Sequence, residues 1–223
     1  IMPSLVGSEM CIRDRIIIIY FTTYLFFTKE TDMSSSRLEA FSDGVLAIII
    51  TIMVLSLKAP EADSLKALLT VVPSLLAYVL SFVYVAIYWN NHHHLMKLVK
   101  TIDGKTLWFN NLWLFFISLI PWATEWVSRF HTSSLPVFIY GITLLGTAIS
   151  YFVLQSQIIK LSPKSSLLKE VLGSDIKGKL SLAIYVFSAI IAFYSTVVSE
   201  LGYLSVALIW FIPDKRMAKA LGD

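Results

Sequence analysis

Arg37 to Leu57, reading RLEAFSDGVLAIIITIMVLSL, opens with charged and polar residues and becomes strictly uncharged from Gly44 onward. A helix crossing roughly 30 Å of hydrocarbon at about 1.5 Å per residue needs about 20 mostly apolar residues, and this stretch has that length. The same pattern recurs along the chain. Ala67 to Trp89, Thr106 to Thr124, a stretch within Thr132 to Ile159, and Leu180 to Ser199 each read as a span, and Leu201 to Pro213 reads as a shorter sixth. Leu180 to Pro213 is too long for one crossing, and Ser199, Glu200 and Gly202 supply turn chemistry at its middle, which predicts a tight helical hairpin there. The expected fold is an all-α membrane protein of six transmembrane helices.

Composition agrees. Of 223 residues 57% are hydrophobic and 15% charged, more apolar surface than a soluble core of this size buries. The formal charge of +3 and the scatter of basic residues through loops give no argument for nucleic-acid binding, and nucleic acid is not an expected partner. A single cysteine, Cys11, excludes an internal disulfide and any metal site built on several thiolates. Lys and Arg are strongly biased to one side. Arg37, Lys97, Lys100, Lys105, Lys160, Lys164, Lys169, Lys177, Lys179, Lys215, Arg216 and Lys219 share one set of connections, against Lys58, Lys66 and Arg129 on the other. The positive-inside rule then puts both termini in the cytoplasm.

Residues 1–32 stand apart from the six-helix domain expected over 33–223. Ser4 to Arg15, SLVGSEMCIRDR, reads as a translated adaptor fragment, and Ile16 to Phe27 is too short to span. The segment is expected to be a gene-model artefact ahead of a start at Met33, or else a short interfacial helix.

Motifs for catalysis are lacking: no GxSxG, HExxH, P-loop or GxGxxG occurs, so the chain is not expected to be an enzyme. His92, His93 and His94 are consecutive, and neighbouring helix positions point about 100° apart, which disfavours chelation of one ion. They read as polar residues at the end of the second helix. Glu39, Asp43, Glu125 and Glu200 all lie toward span ends, which argues against a proton pump or ion-coupled transporter with midplane carboxylates. Pro73 and Pro121 read as kinks. Asp43, about 9 Å along the helix from Arg37, needs a partner at its depth, and Trp89 and His93, four apart on helix two, could supply one. An N-cap role for Ser42 or Asp43 is the equal alternative from chemistry alone.

Arg37, Phe41, Ser42 and Asp43, an Arg followed after three residues by Phe-Ser-Asp, resemble the signature of the endolysosomal potassium channels known as transmembrane protein 175 and their bacterial homologues. Trp89, Asn91 and His93, Asn111 to Phe116, and the tail WFIPDKR from Trp210 to Arg216 are similar as well. The resemblance covers Met33 to the C-terminus as one copy of the six-helix repeat. It implies a homotetramer in the lipid bilayer, with helix one lining a central pore that passes K⁺ in preference to Na⁺, no cofactor, and no nucleic-acid partner. Carried over by position, it places the hydrophobic constriction on Ile48, followed by Ile52 and Leu55, with Thr51 as the polar layer. Spacings of three, four and seven put Thr51, Ile52 and Leu55 each within about 60° of Ile48 on a helix. Asp43 lies some 140° around from Ile48, so Arg37, Phe41, Ser42, Asp43, Trp89 and His93 are expected to position the helix. A multi-pass protein of a prokaryotic cytoplasmic membrane is the implied setting. A proton-permeable channel, an ion transporter and a non-conducting structural membrane protein are the alternatives.

Overall fold

A computed structural model describes residues 33–163 and 175–211. The described residues form seven helices and two short strands: β1 (Met33–Ser34), α1 (Ser35–Leu55), α2 (Leu65–Met96), β2 (Thr101–Ile102), α3 (Gly104–Ser118), α4 (Ile120–Arg129), α5 (Ser134–Leu161), α6 (Ile176–Ile191) and α7 (Thr196–Phe211). The readings made for residues 1–32, for Lys164 and Lys169, and for the end of the sixth span and the tail from 212 onward fall outside the described residues.

α3 and α4 are two parts of one span. Pro121, with no N–H to give, stands at the start of α4, and the helix is interrupted at Leu119. Pro73, by contrast, is carried inside α2 without ending it. Counted this way the described residues form six helical units, the number of helices expected. Four of them, Ser35–Leu55, Leu65–Met96, Gly104–Arg129 and Ser134–Leu161, are long and apolar enough to cross a membrane, and Thr196–Phe211 is a shorter apolar helix.

Helix starts follow from side-chain caps. Ser64 Oγ accepts from Ala67 N, Asp103 Oδ1 from Thr106 N, and Asp175 Oδ1 from Gly178 N, each satisfying an N–H that the first turn leaves free. Asp103 does more, because its Oδ2 accepts from Gln157 Nε2 at 3.1 Å and ties the start of α3 to the last turns of α5.

The predicted hairpin is present, with its turn displaced toward the N-terminus. α6 ends at Ile191 and α7 begins at Thr196, so the connection is Ala192 to Ser195 and not Ser199 to Gly202. Ser199 is fully buried inside α7. A Cβ at Gly202 would overlap the Ser188 hydroxyl on α6. The small residues taken for a turn are therefore contact residues that let two helices approach, a use of Gly and Ser that membrane helices favour.

The centre of the bundle is aromatic. Tyr84, Tyr140, Tyr185 and Tyr203 are all buried, with Tyr140 and Tyr203 edge to face at 5.7 Å. Tyr203 Oη donates to Val137 O at 3.2 Å and lies where Gly141 has no Cβ, so α7 packs directly on the backbone of α5. Ser81 hydrogen-bonds Thr124 at 2.7 Å and Tyr140 at 2.9 Å, joining α2, α4 and α5. Such links average about 0.6 kcal/mol each in membrane bundles, so packing and not polarity supplies most of the cohesion.

Candidate pore helix and its polar anchor

α1 begins at Ser35 with Ser34 as N-cap, two turns before Ser42 and Asp43, so the N-cap reading of those two residues is corrected: both lie inside the helix. One face of α1 is buried, at Leu38, Ser42, Leu46, Ile49 and Met53. Spacings of four, four, three and four keep these residues on one stripe against the rest of the bundle.

The base of the helix is fastened by polar contacts to three elements. Met33 and Ser34 pair antiparallel with Ile102 and Thr101. Ser35 adds two bonds to the same connection, N to Lys100 O at 3.0 Å and Oγ to Val99 O at 2.8 Å. One turn further, His93 Nδ1 of α2 pairs with Glu39 Oε1 at 2.5 Å. Trp89 Nε1, one turn back along α2, donates to Asp43 Oδ1 at 3.1 Å. Glu39 and Asp43 are four apart on α1, as Trp89 and His93 are on α2, so the two contacts form adjacent rungs between the helices.

A third tie is fully buried. Asn110 of α3 donates through Nδ2 to Ser42 Oγ at 3.0 Å, and Ser42 donates on to Leu38 O at 2.9 Å. His92 Nε2 lies 3.0 Å from Asn110 Oδ1. A carbonyl oxygen only accepts, so His92 carries its proton on Nε2, and its Nδ1 is left buried without a partner among the described residues. The ring stacks on Trp113 at 4.8 Å and 12°. Of the three histidines, one thus points inward, one pairs with Glu39, and no group of three or more His, Cys, Asp or Glu among the described residues is placed to hold a metal.

Of the positioning residues expected from the sequence, Ser42, Asp43, Trp89 and His93 come together at this anchor. Arg37 and Phe41 do not: both are exposed, and Arg37 takes part in none of the described hydrogen bonds. Glu39, His92 and Asn110 also belong to the anchor, though the sequence reading does not count them among the positioning residues. Glu39 stands four residues before Asp43, which is a legible signal, whereas nothing in the sequence pairs Asn110 with Ser42.

Past Asp43 no described hydrogen bond joins α1 to another element; Thr51 Oγ1 donates within the helix to Ala47 O at 2.8 Å. Ile48, Thr51, Ile52 and Leu55 all lie on the exposed face, Ile48 at 60% and Leu55 at 77% exposure. The exposed stripe extends downward through Gly44, Phe41 and Arg37. Positions 37, 41, 44, 48, 51 and 55 alternate steps of four and three, the repeat by which a helix faces copies of itself. At Gly44 an added Cβ would meet nothing within 4 Å. Beside the stripe a groove of about 400 Å³ separates Ile48 and Ile52 from Pro121, Trp122 and Glu125 of α4.

These features define a helical multi-pass membrane protein whose first helix is anchored at its base and exposes a heptad-spaced stripe above it. The chain belongs to the TMEM175 family of channels. The family described as "Endosomal/lysosomal potassium channel TMEM175" matches residues 37–121. A protein named as a potassium channel from Chryseobacterium sp. (strain P1-3) is 50% identical over 191 residues, which span 86% of this chain and the whole of that protein. The human protein named endosomal/lysosomal proton channel TMEM175 is 33% identical over 116 residues, 47% of this chain and 23% of that one. In structure, the chain is similar to a lysosomal potassium-selective channel TMEM175 homologue from Chamaesiphon minutus, with a TM-score of 0.69 over 80% of this chain and 96% of that one. At 24% identity that likeness speaks for the fold.

Proposed function

We propose that the protein is a potassium-permeable channel of a prokaryotic cytoplasmic membrane, formed by four copies with α1 around a central pore and both termini in the cytoplasm. The observation that carries this reading is the stripe itself. Ile48, Thr51, Ile52 and Leu55 are exposed in one copy, while the opposite face of α1 is buried and anchored. A symmetric ring of α1 helices would turn that stripe inward. Ile48 is then the narrow apolar ring, with Ile52 and Leu55 beyond it and Thr51 as the polar layer. A constriction of branched aliphatic side chains gates by wetting and dewetting. The anchor of Ser42, Asp43, Trp89 and His93 sets the tilt and rotation of α1, with Arg37 and Phe41 on the stripe side at the cytoplasmic mouth. In this reading the functional unit is residues 33–223.

Flux into liposomes tests it. Protein spanning 33–223, reconstituted under a set potential, is expected to pass K⁺ faster than Na⁺, and Ile48→Asn is expected to raise the flux and weaken the preference. No ion flux from folded protein of either kind would leave a non-conducting membrane protein as the better account. Proton permeation is the second reading, supported by the name of the vertebrate relatives, and a pH-sensitive dye in the same liposomes decides it.

A further inference from the structure

A separate cavity of about 90 Å³ lies between α2, α5, α6 and α7, away from the exposed stripe of α1. Its body is aromatic: Tyr84 and Tyr88 from α2, Tyr151 from α5, Tyr185 from α6 and Trp210 from α7 all line it. Polar groups gather at one end. Asn91 stands near the end of α2, Gln155 near the end of α5, and Asp175 at the start of α6, so all three belong to the end of the bundle where Ser162 Oγ donates to Leu98 O. From Tyr84 to Asn91 is seven residues, about 10 Å along the helix. The cavity is therefore polar toward one end and aromatic along the rest.

Three features narrow the occupant. The side chains of Asn91 and Gln155 form no hydrogen bond among the described residues, so the polar end offers unused polar groups. Asp175 uses Oδ1 to cap Gly178 N and, among the described residues, presents the only carboxylate of the lining. At about 90 Å³ the cavity takes only a compact group of a few heavy atoms. A compact cation bearing methyl groups meets all three, because electron-rich ring faces attract a cation that a carboxylate also favours, and methyls lose little on leaving water.

We infer that this cavity binds a trimethylammonium group, with its three methyls among the tyrosines and Trp210 and its charge toward Asp175. Lys179, exposed at the rim, opposes that charge and limits the affinity. The group could arrive on free choline or on a choline lipid headgroup, and the site recognises what the two share.

The test needs no ion flux, so its outcome is independent of the channel reading. The full chain in maltoside micelles, which carry no choline, is titrated with choline and with its uncharged isostere 3,3-dimethylbutan-1-ol, and binding is read by saturation transfer from protein to the methyl protons. Choline is expected to bind saturably and about tenfold tighter than the alcohol. Asp175→Asn, which keeps a good N-cap, is expected to abolish most of that difference while the alcohol binds as before. Lys179→Gln is expected to tighten choline binding. Equal binding of the two probes, no saturable binding of choline, or a preference untouched by Asp175→Asn would each overturn the proposal. Where choline does bind, displacement by short-chain phosphatidylcholine but not phosphatidylglycerol assigns the site to a headgroup, and its failure assigns it to the free cation.

Discussion

The indole N–H of Trp89 lies 3.1 Å from Asp43 Oδ1, joining α2 to α1 five residues before Ile48. A hydrogen bond to a charged acceptor contributes about 1.5–3 kcal/mol when sheltered and less where, as here, the indole is half exposed. Trp89→Phe and Asp43→Asn are each expected to lower stability in micelles by about 1 kcal/mol. The double variant is expected to fall short of the sum, since both changes remove one interaction. Additive losses in reversible unfolding would show that the two side chains act separately.

The buried tie makes a larger prediction. Asn110→Leu leaves Ser42 Oγ without its donor and His92 Nε2 without its acceptor, while His92 Nδ1 is already unpartnered. A loss of about 2–3 kcal/mol is expected, the range for buried polar groups deprived of partners. A variant as stable as the parent would mean that the three groups find other partners.

Neighbouring residues of α1 separate packing from conduction. Leu46 is buried at 2% exposure, so Leu46→Ala is expected to cost about 2–4 kcal/mol. Ile48, 60% exposed, is expected to cost under about 1 kcal/mol as Ile48→Ala and to change ion flux. Unfolding curves and liposome flux on the same two preparations check both halves. An Ile48 variant with parental flux would remove the constriction from that position.

Glycines divide in the same way. Gly141→Val drives a side chain into Tyr203 and is expected to cost about 3 kcal/mol or more, or to prevent folding. Gly44→Ala meets no atom within 4 Å and removes a poor helix former, so the single copy is expected to gain up to about 1 kcal/mol. Thermal midpoints in micelles measure the contrast.

Much of the fold was legible because the bilayer imposes a length on each crossing. What was misread follows from the same rule. Span prediction ended helix two at Trp89, yet α2 continues to Met96, because the end of the hydrocarbon stops the need for apolar residues and not the helix. Ser199, Glu200 and Gly202 carry the composition of a turn, and in a membrane bundle that composition also marks close packing. Asp43 facing away from Ile48 was readable from spacing within one helix. The choice of Asn110 for Ser42 depends on the distance between helices, which periodicity does not encode.

Every described hydrogen bond that ties α1 to another element falls between Met33 and Asp43, and from Gly44 to Leu55 the helix is held by apolar contacts alone. Mechanically, α1 is a lever with polar ties at its root and only the apolar seat of Leu46, Ile49 and Met53 along its arm. Its root is clamped at the level of the Lys100 connection, and a small rotation there sweeps the far tip through the widest arc. Twelve residues at about 1.5 Å each make that lever arm about 18 Å long. A chain fused ahead of Met33 therefore pulls on the clamp, not on the tip, and its leverage on Ile48 depends on how firmly two strand residues hold.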